Sequence, residues 1–253
     1  LLEALNADQF TLHLPSYHEL IAVHRGGAPL AAEPTVKQRW RVRVASPALP
    51  HIVQVITRRR PLDQPPRNQA ELTRPQLFAN GEEIPVQITL WSYAAAGRTA
   101  QPADTDAANI DPFDSAMLKI SRLLDAAEMG ARRLGERKDA REESAWATQW
   151  AAVIDAANHQ LLRTSGRRQA SAALPQIPAD NLPSSQLERV ATRIDDWRSS
   201  MSTITQQPKS ASLLDLYEAT VNNDRGNTVA RSMFVSDGGP ARLAIAMNDQ
   251  HQR

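Results

Sequence analysis

Lys37, Arg39, Arg41 and Arg43 recur every second residue, and Val36, Trp40, Val42 and Val44 fall on the alternate, even-numbered positions. That spacing suits one kind of chemistry. Guanidiniums in a row on one side of a strand can take carboxylates, sulfates or phosphates in bidentate fashion. Arg58, Arg59 and Arg60 close the next apolar run and could extend the patch. Lys37, Arg39, Arg41 and Arg43 are therefore the candidate anion site, for a polysaccharide carboxylate or sulfate, a lipid headgroup or a nucleic-acid phosphate. The plainer reading is a solvated strand face, partly paired with acidic neighbours and charged to keep a strand from pairing with another chain.

Other residue types give weaker patterns. Trp91 and Tyr93 alternate with Ile84, Val86, Ile88 and Leu90, so they fall on the opposite side of a strand. Exposed there, they would stack on a sugar ring or a base; packed under a loop, they would be core. His13, His18 and His24 lie close in sequence with Glu19 among them, but their spacing matches no zinc motif. Asn222, Asp224 and Gly226 cover only part of a calcium loop, without its bidentate glutamate, and Asp104 and Asp106 are a weaker pair still. The adjacent acids Asp195-Asp196 and Glu142-Glu143 fall in helical stretches, where solvated faces are the rule. The chain contains no phosphate-binding glycine loop, nucleophile elbow or His-Glu-x-x-His. No catalytic residue, metal ligand or cofactor is expected.

Composition narrows the field. A net charge of +1 offers no global field to draw the chain onto nucleic acid or an anionic membrane, so nucleic acid is not an expected partner. The expected partners are protein or an anionic polysaccharide. Cysteine is absent, which excludes disulfides, thiolate metal sites and cysteine nucleophiles. No apolar run approaches the ~20 residues of a spanning helix. Lysine occurs only at 37, 119, 138 and 209, and arginine supplies every other basic residue, a bias of GC-rich bacterial coding. Leu1 stands where an initiator Met would, so a piece of a longer protein is expected.

The elements that must position these residues come in two kinds. Phe10, Leu12 and Leu14 alternate; 19–23 is apolar; 36–44 and 52–57 read as a hairpin joined by Ser46-Pro47 and Leu49-Pro50. The span 61–75 reads as a proline-rich loop, Asn80-Gly81 as a tight turn, 84–90 as a strand and 97–109 as a linker. At Asp111-Pro112 the period changes. Phe113, Met117, Ile120, Leu124, Ala127, Ala131 and Leu134 follow at steps of three and four, a helical seam opened by a capping Asp and an N-terminal Pro. Trp146, Trp150, Val153, Ala157 and Leu161 form a second seam that stops near Gly166, antiparallel to the first with a turn near 135–140. Leu187, Val190, Ile194, Trp197, Met201 and Ile204 form a third, after a loop over 165–183. Alternation returns at 229–235 and 243–247, which read as a hairpin around Asp237-Gly238-Gly239-Pro240.

An α+β fold follows: an antiparallel, sandwich-like β module built from both chain ends, with a helical insertion. The expected divisions are 1–98 for the first strands, 99–111 for a linker, 112–206 for the helices and 207–253 for a hairpin that completes the β module. The functional expectation is a non-catalytic structural or binding module of a larger bacterial protein, at the cell envelope or otherwise outside the cytoplasm. The alternatives are a glycan-processing hydrolase with carboxylates at the sheet–helix junction, and an anion- or polysaccharide-binding module using the basic strand.

Overall fold

Strand β1 (Gln9–His13) and strand β5 (Arg39–Arg43) pair antiparallel, with Phe10 opposite Val42 and Thr11 opposite Arg41. Phe10, Leu12 and Val42 are buried on one face, and strict alternation sends Gln9, Thr11, His13 and the three arginines to the other. β4 (Ala32–Pro34) covers one edge of β5. β8 (Gln76–Ala79) pairs with β1, and β9 (Glu82–Glu83) pairs with β8, completing a five-stranded antiparallel sheet in the order β4-β5-β1-β8-β9. Asn80 and Gly81 both have positive φ, 53° and 88°, so they close a two-residue hairpin between β8 and β9. The structure is a computed structural model and describes residues 1–2, 7–25, 28–36, 38–44, 49–59, 69–96, 98–103, 107–135, 140–172, 184–201, 229–238 and 242–249.

Three further antiparallel sheets occur among the described residues. β2 (His18–Arg25) lies between β3 (Ala28–Leu30) and β6 (Val53–Arg59). β13 (Val229–Asp237) lies between β10 (Ile88–Ala96) and β12 (Ala108–Asn109). β14 (Arg242–Asp249) lies between β11 (Arg98–Pro102) and β7 (Gln69–Thr73). The last two sheets pool their apolar side chains in one core: Trp91, Ala107 and Phe234 with Ala70, Leu72, Ala100, Leu243 and Ile245.

The fold is α+β, with antiparallel sheets and, among the described residues, three helices. Several local expectations change. The strand expected at 36–44 begins at Arg39, because the chain turns just before it: Gln38 has φ 62°, the Arg39 amide donates to the Val36 carbonyl, and Val36 is 62% exposed. Neither expected hairpin forms. β5 gives its edges to β1 and β4, while β6 pairs with β2. β13 and β14 are consecutive, yet each is flanked by earlier strands of a different sheet. Short connections alone suggested pairing; burying Phe234 against Leu243 and Ile245 from facing sheets takes precedence. The loop at 61–75 contains β7 and the linker at 97–109 contains β11 and β12, short strands with too few apolar residues to show alternation. The strand expected from Ile84 starts at Ile88, beyond Pro85.

The helices are α1 (Pro112–Gly135), α2 (Ala140–Ala172) and α3 (Ser184–Met201). Lys119 donates to Gln160 at one end of the α1–α2 pair and Gly130 faces Trp146 at the other, so α1 and α2 run antiparallel. α2 continues past Gly166, where a stop was expected. The predicted seams are the core: Ile120, Leu124, Ala127, Trp150, Leu161, Ile194 and Trp197 are all buried. The Arg193 guanidinium joins α3 to α1 by donating to Asp125 at 2.8 Å and to Glu128 at 2.8 and 3.0 Å. Two compact units result: Leu1–Ala4, Ala48–Ile52 and Pro112–Leu213 form the helical one, and Leu5–Pro47, Val53–Asp111 and Leu214–Arg253 the β one. Within the helical unit, Leu2 bridges His51, and the Trp146 indole donates to the Pro50 carbonyl at 2.8 Å.

Gly130 is required by that packing. A Cβ there would fall inside the contact radius of the Trp146 ring, which is pinned by Pro50 and tilted against Trp150 at 5.4 Å. Gly130→Ala gains about 1 kcal/mol in helix propensity but overpacks a held ring at a cost of about 1–3 kcal/mol. The expected outcome is a net loss of stability, measured as a lower urea midpoint with an altered tryptophan spectrum. Wild-type or higher stability would show that Trp146 can move.

Candidate functional site

Two groups of polar side chains stand out, both in the β unit. The first is the outward face of the five-stranded sheet. Directly opposed residues share a face, so the register lays out one row across all five strands: Glu33, Arg41, Thr11, Phe78 and Glu83. A neighbouring row holds Arg39, His13 and Gln76, and the other neighbour holds Arg43 and Gln9. Arg39, Arg41 and Arg43 are exposed. None of the three makes an ion pair or a side-chain hydrogen bond with another described residue. Glu33 is directly opposite Arg41 but does not reach it. Glu83 is engaged elsewhere, with Arg74 at 3.6 Å and with the Gln76 amide, which donates to both its oxygens. Lys37, the fourth predicted cation, lies outside the described residues.

Phe78 is the aromatic residue of this face. It is half-buried and lies 6.4 Å from the His13 ring, tilted by 50°. Sequence reasoning missed it, because Gln76–Ala79 is too short to alternate visibly; the Asn80-Gly81 turn that follows was the available clue. The aromatics singled out instead pack against a core, Trp91 buried and Tyr93 partly buried. Trp91 is only 6% exposed and its indole donates to Ser236 at 3.1 Å, so no ring face is open for stacking. Tyr93 packs against the same core, with its hydroxyl 3.0 Å from the Met247 sulfur.

The second group centres on His18. Its Nδ1 lies 3.1 Å from the Thr57 hydroxyl and its Nε2 lies 3.0 Å from the Thr73 hydroxyl. A neutral imidazole has one N–H and one lone pair, so one threonine accepts from it and the other donates to it. Beside it the Tyr17 phenol donates to Glu71 at 2.7 Å, with the Arg59 guanidinium 5.2 Å above the Tyr17 ring. Arg242 approaches Glu71 at 3.6 Å. Burial, and then the hydrogen bond to Glu71, push the Tyr17 phenol up. Burial first and Arg59 second hold His18 below the ordinary histidine range, with Glu71 acting the other way. These residues come from β2 and its approach, β6, β7 and β14. They saturate one another, which makes the group a polar joint between sheets.

The remaining candidates separate. His13 is on the outward face, His18 in the joint and His24 on β2 opposite Gln54. Glu19 is bound by Arg58 at 2.8 Å. No group of three potential metal ligands occurs among the described residues. Asp195 is exposed and 3.7 Å from Arg198 in its own helix, and Arg198 also pairs with Asp155. Trp146, Trp150 and Trp197 are core. Asp104, Asp106, Asn222, Asp224 and Gly226 lie outside the described residues, as do the Glu142 and Glu143 side chains. No helix among the described residues is long and apolar enough to cross a membrane.

The joint has a pH signature. A histidine whose folded value is depressed contributes stability that is present above its unfolded value of 6.5 and is lost as pH falls through the folded value. Melting temperature should therefore drop more steeply below pH 6.5 in the native chain than in His18→Gln, which keeps a polar side chain but cannot titrate. Parallel melting-temperature profiles would show that His18 carries no such linkage.

No family model matches this chain, and neither the curated proteins nor the solved structures compared with it contain a match, so its chemistry is read from its own residues.

Proposed function

We propose that this chain is a non-catalytic binding module that takes an anionic ligand on the outward face of its five-stranded sheet. The observation that carries the reading is the row Arg39, Arg41 and Arg43, exposed and without an ionic partner among the described residues. Alternate residues of an antiparallel strand are about 6.8 Å apart. At that distance neighbouring charges repel by about 0.6 kcal/mol in water, before salt screening. The spacing is also shorter than the Debye length of about 8 Å at physiological ionic strength, so the three cations act on a ligand together. Each contact is worth about 1 kcal/mol or less on an exposed surface. Useful affinity would come from several contacts along one polymer, and it would fall as salt rises.

The same proposal sets the module in a larger bacterial protein at the cell envelope. The preference for arginine over lysine, a mark of GC-rich coding, supports the bacterial origin; the association of such modules with envelopes is analogy.

Retention on a heparin column tests the reading. The Arg39→Glu/Arg41→Glu chain should elute at distinctly lower salt than the native chain, with an unchanged melting temperature. Identical elution would dispose of the basic face as the binding surface.

A further inference from the structure

The five-stranded sheet offers more than charge. Thr11 is short, and it lies on β1 between the long side chain of Arg41 on β5 and the ring of Phe78 on β8. Gln9 and His13 continue β1 on either side of it. At Thr11 the outward face therefore dips into a trough, with arginines along one wall, Phe78 on the other, and the longer side chains of Gln9 and His13 at its two ends. Strands sit about 4.8 Å apart, so the walls rise from backbones roughly 10 Å apart. Beyond the walls stand carboxylates: Glu33 past Arg41 and Glu83 past Phe78. An anionic chain laid across the strands would meet both acids. Laid along β1, it meets Arg39, Arg41 and Arg43 in succession.

We infer that the trough binds a linear acidic polysaccharide, running along β1, with its carboxylates on the arginines of β5 and the apolar face of one sugar ring against Phe78. This rests on the proposed anion-binding role and deepens it. Each structural part meets one part of such a ligand. Guanidiniums take carboxylates in planar, two-pronged contacts. Gln9, Thr11 and His13 supply polar groups for ring hydroxyls. Phe78 supplies an apolar surface that a bare polyanion would not use. Nucleic acid fits less well. Duplex DNA spreads its phosphates across a groove about 12 Å wide, broader than a single file of cations. A single strand stacks successive bases on several aromatic side chains, and here one phenylalanine and one histidine share the face.

The test uses the full chain and four labelled probes: oligogalacturonate, a neutral glucan oligomer of equal length, polyphosphate and oligothymidylate. Oligogalacturonate should bind best and the neutral oligomer should not bind. Phe78→Leu keeps the apolar bulk but removes the ring. It should weaken oligogalacturonate about fivefold or more while leaving polyphosphate unchanged, and Phe78→Tyr should retain wild-type affinity. Arg39→Glu/Arg41→Glu should weaken every anionic probe about tenfold or more. If Phe78→Leu leaves oligogalacturonate binding intact while the arginine variant abolishes it, the sugar-ring contact is overturned and the anion face survives. Tighter binding of oligothymidylate overturns the polysaccharide in favour of nucleic acid. Failure of every anionic probe removes both this inference and the proposed function beneath it.

Discussion

Burial of Phe10, Leu12 and Val42 on one side of the five-stranded sheet dictates what the other side can present. A strand has two faces and a period of two, so each apolar residue committed inward sends its neighbours outward. Gln9, Thr11 and His13 emerge from β1, and Arg39, Arg41 and Arg43 from β5. A slip of one residue in the pairing of β1 with β5 would put guanidiniums into the core, an outcome too costly to populate. The hydrophobic layer therefore fixes the spacing and direction of the polar one. The arginine row needs no dedicated scaffold beyond the sheet itself.

The joint at His18 follows a different rule. Polar groups brought together between sheets must satisfy one another or remain exposed. Thr57 and Thr73 occupy the two ring nitrogens, and Tyr17 and Arg242 converge on Glu71. Arg59 adds a cation above Tyr17, and that same cation disfavours a proton on His18. The arrangement favours a neutral imidazole. It ties strands that share no backbone ladder, so specificity of assembly comes here from side chains.

Legibility from sequence differed sharply between elements. The helical seams were plain, because Ile120, Leu124, Trp150, Ile194 and their neighbours repeat over many turns and all point into one core. Strand β5 was legible because its alternation of charge and apolar bulk is strict over Arg39–Arg43. Partnership between strands was not. Nothing local to Gln69–Thr73 or Arg98–Pro102 announces that they flank β14, since pairing is decided by which apolar faces can be buried together. Trp91 and Phe78 illustrate the same gap at the candidate site. Both are aromatic residues in strands, but only the register separates a ring under Ser236 from one on the outward face. The carboxylates beyond the trough, Glu33 and Glu83, were invisible for that reason too.

The interior position of the last two strands bears on how the chain is made. β10 waits for β13, whose Ser236 is 145 residues downstream of the Trp91 it accepts from. During synthesis the entire helical segment emerges before β7, β10 and β11 acquire their partners. Contacts this distant in sequence close slowly. Until they close, the nascent chain carries unfilled ladder positions and an unassembled apolar layer, the features that recruit chaperones or promote aggregation. Assembly of the two sheets built around β13 and β14 is thus a late event, triggered by the arrival of those final strands, whereas the five-stranded sheet and the β2 sheet draw only on strands made before the helices.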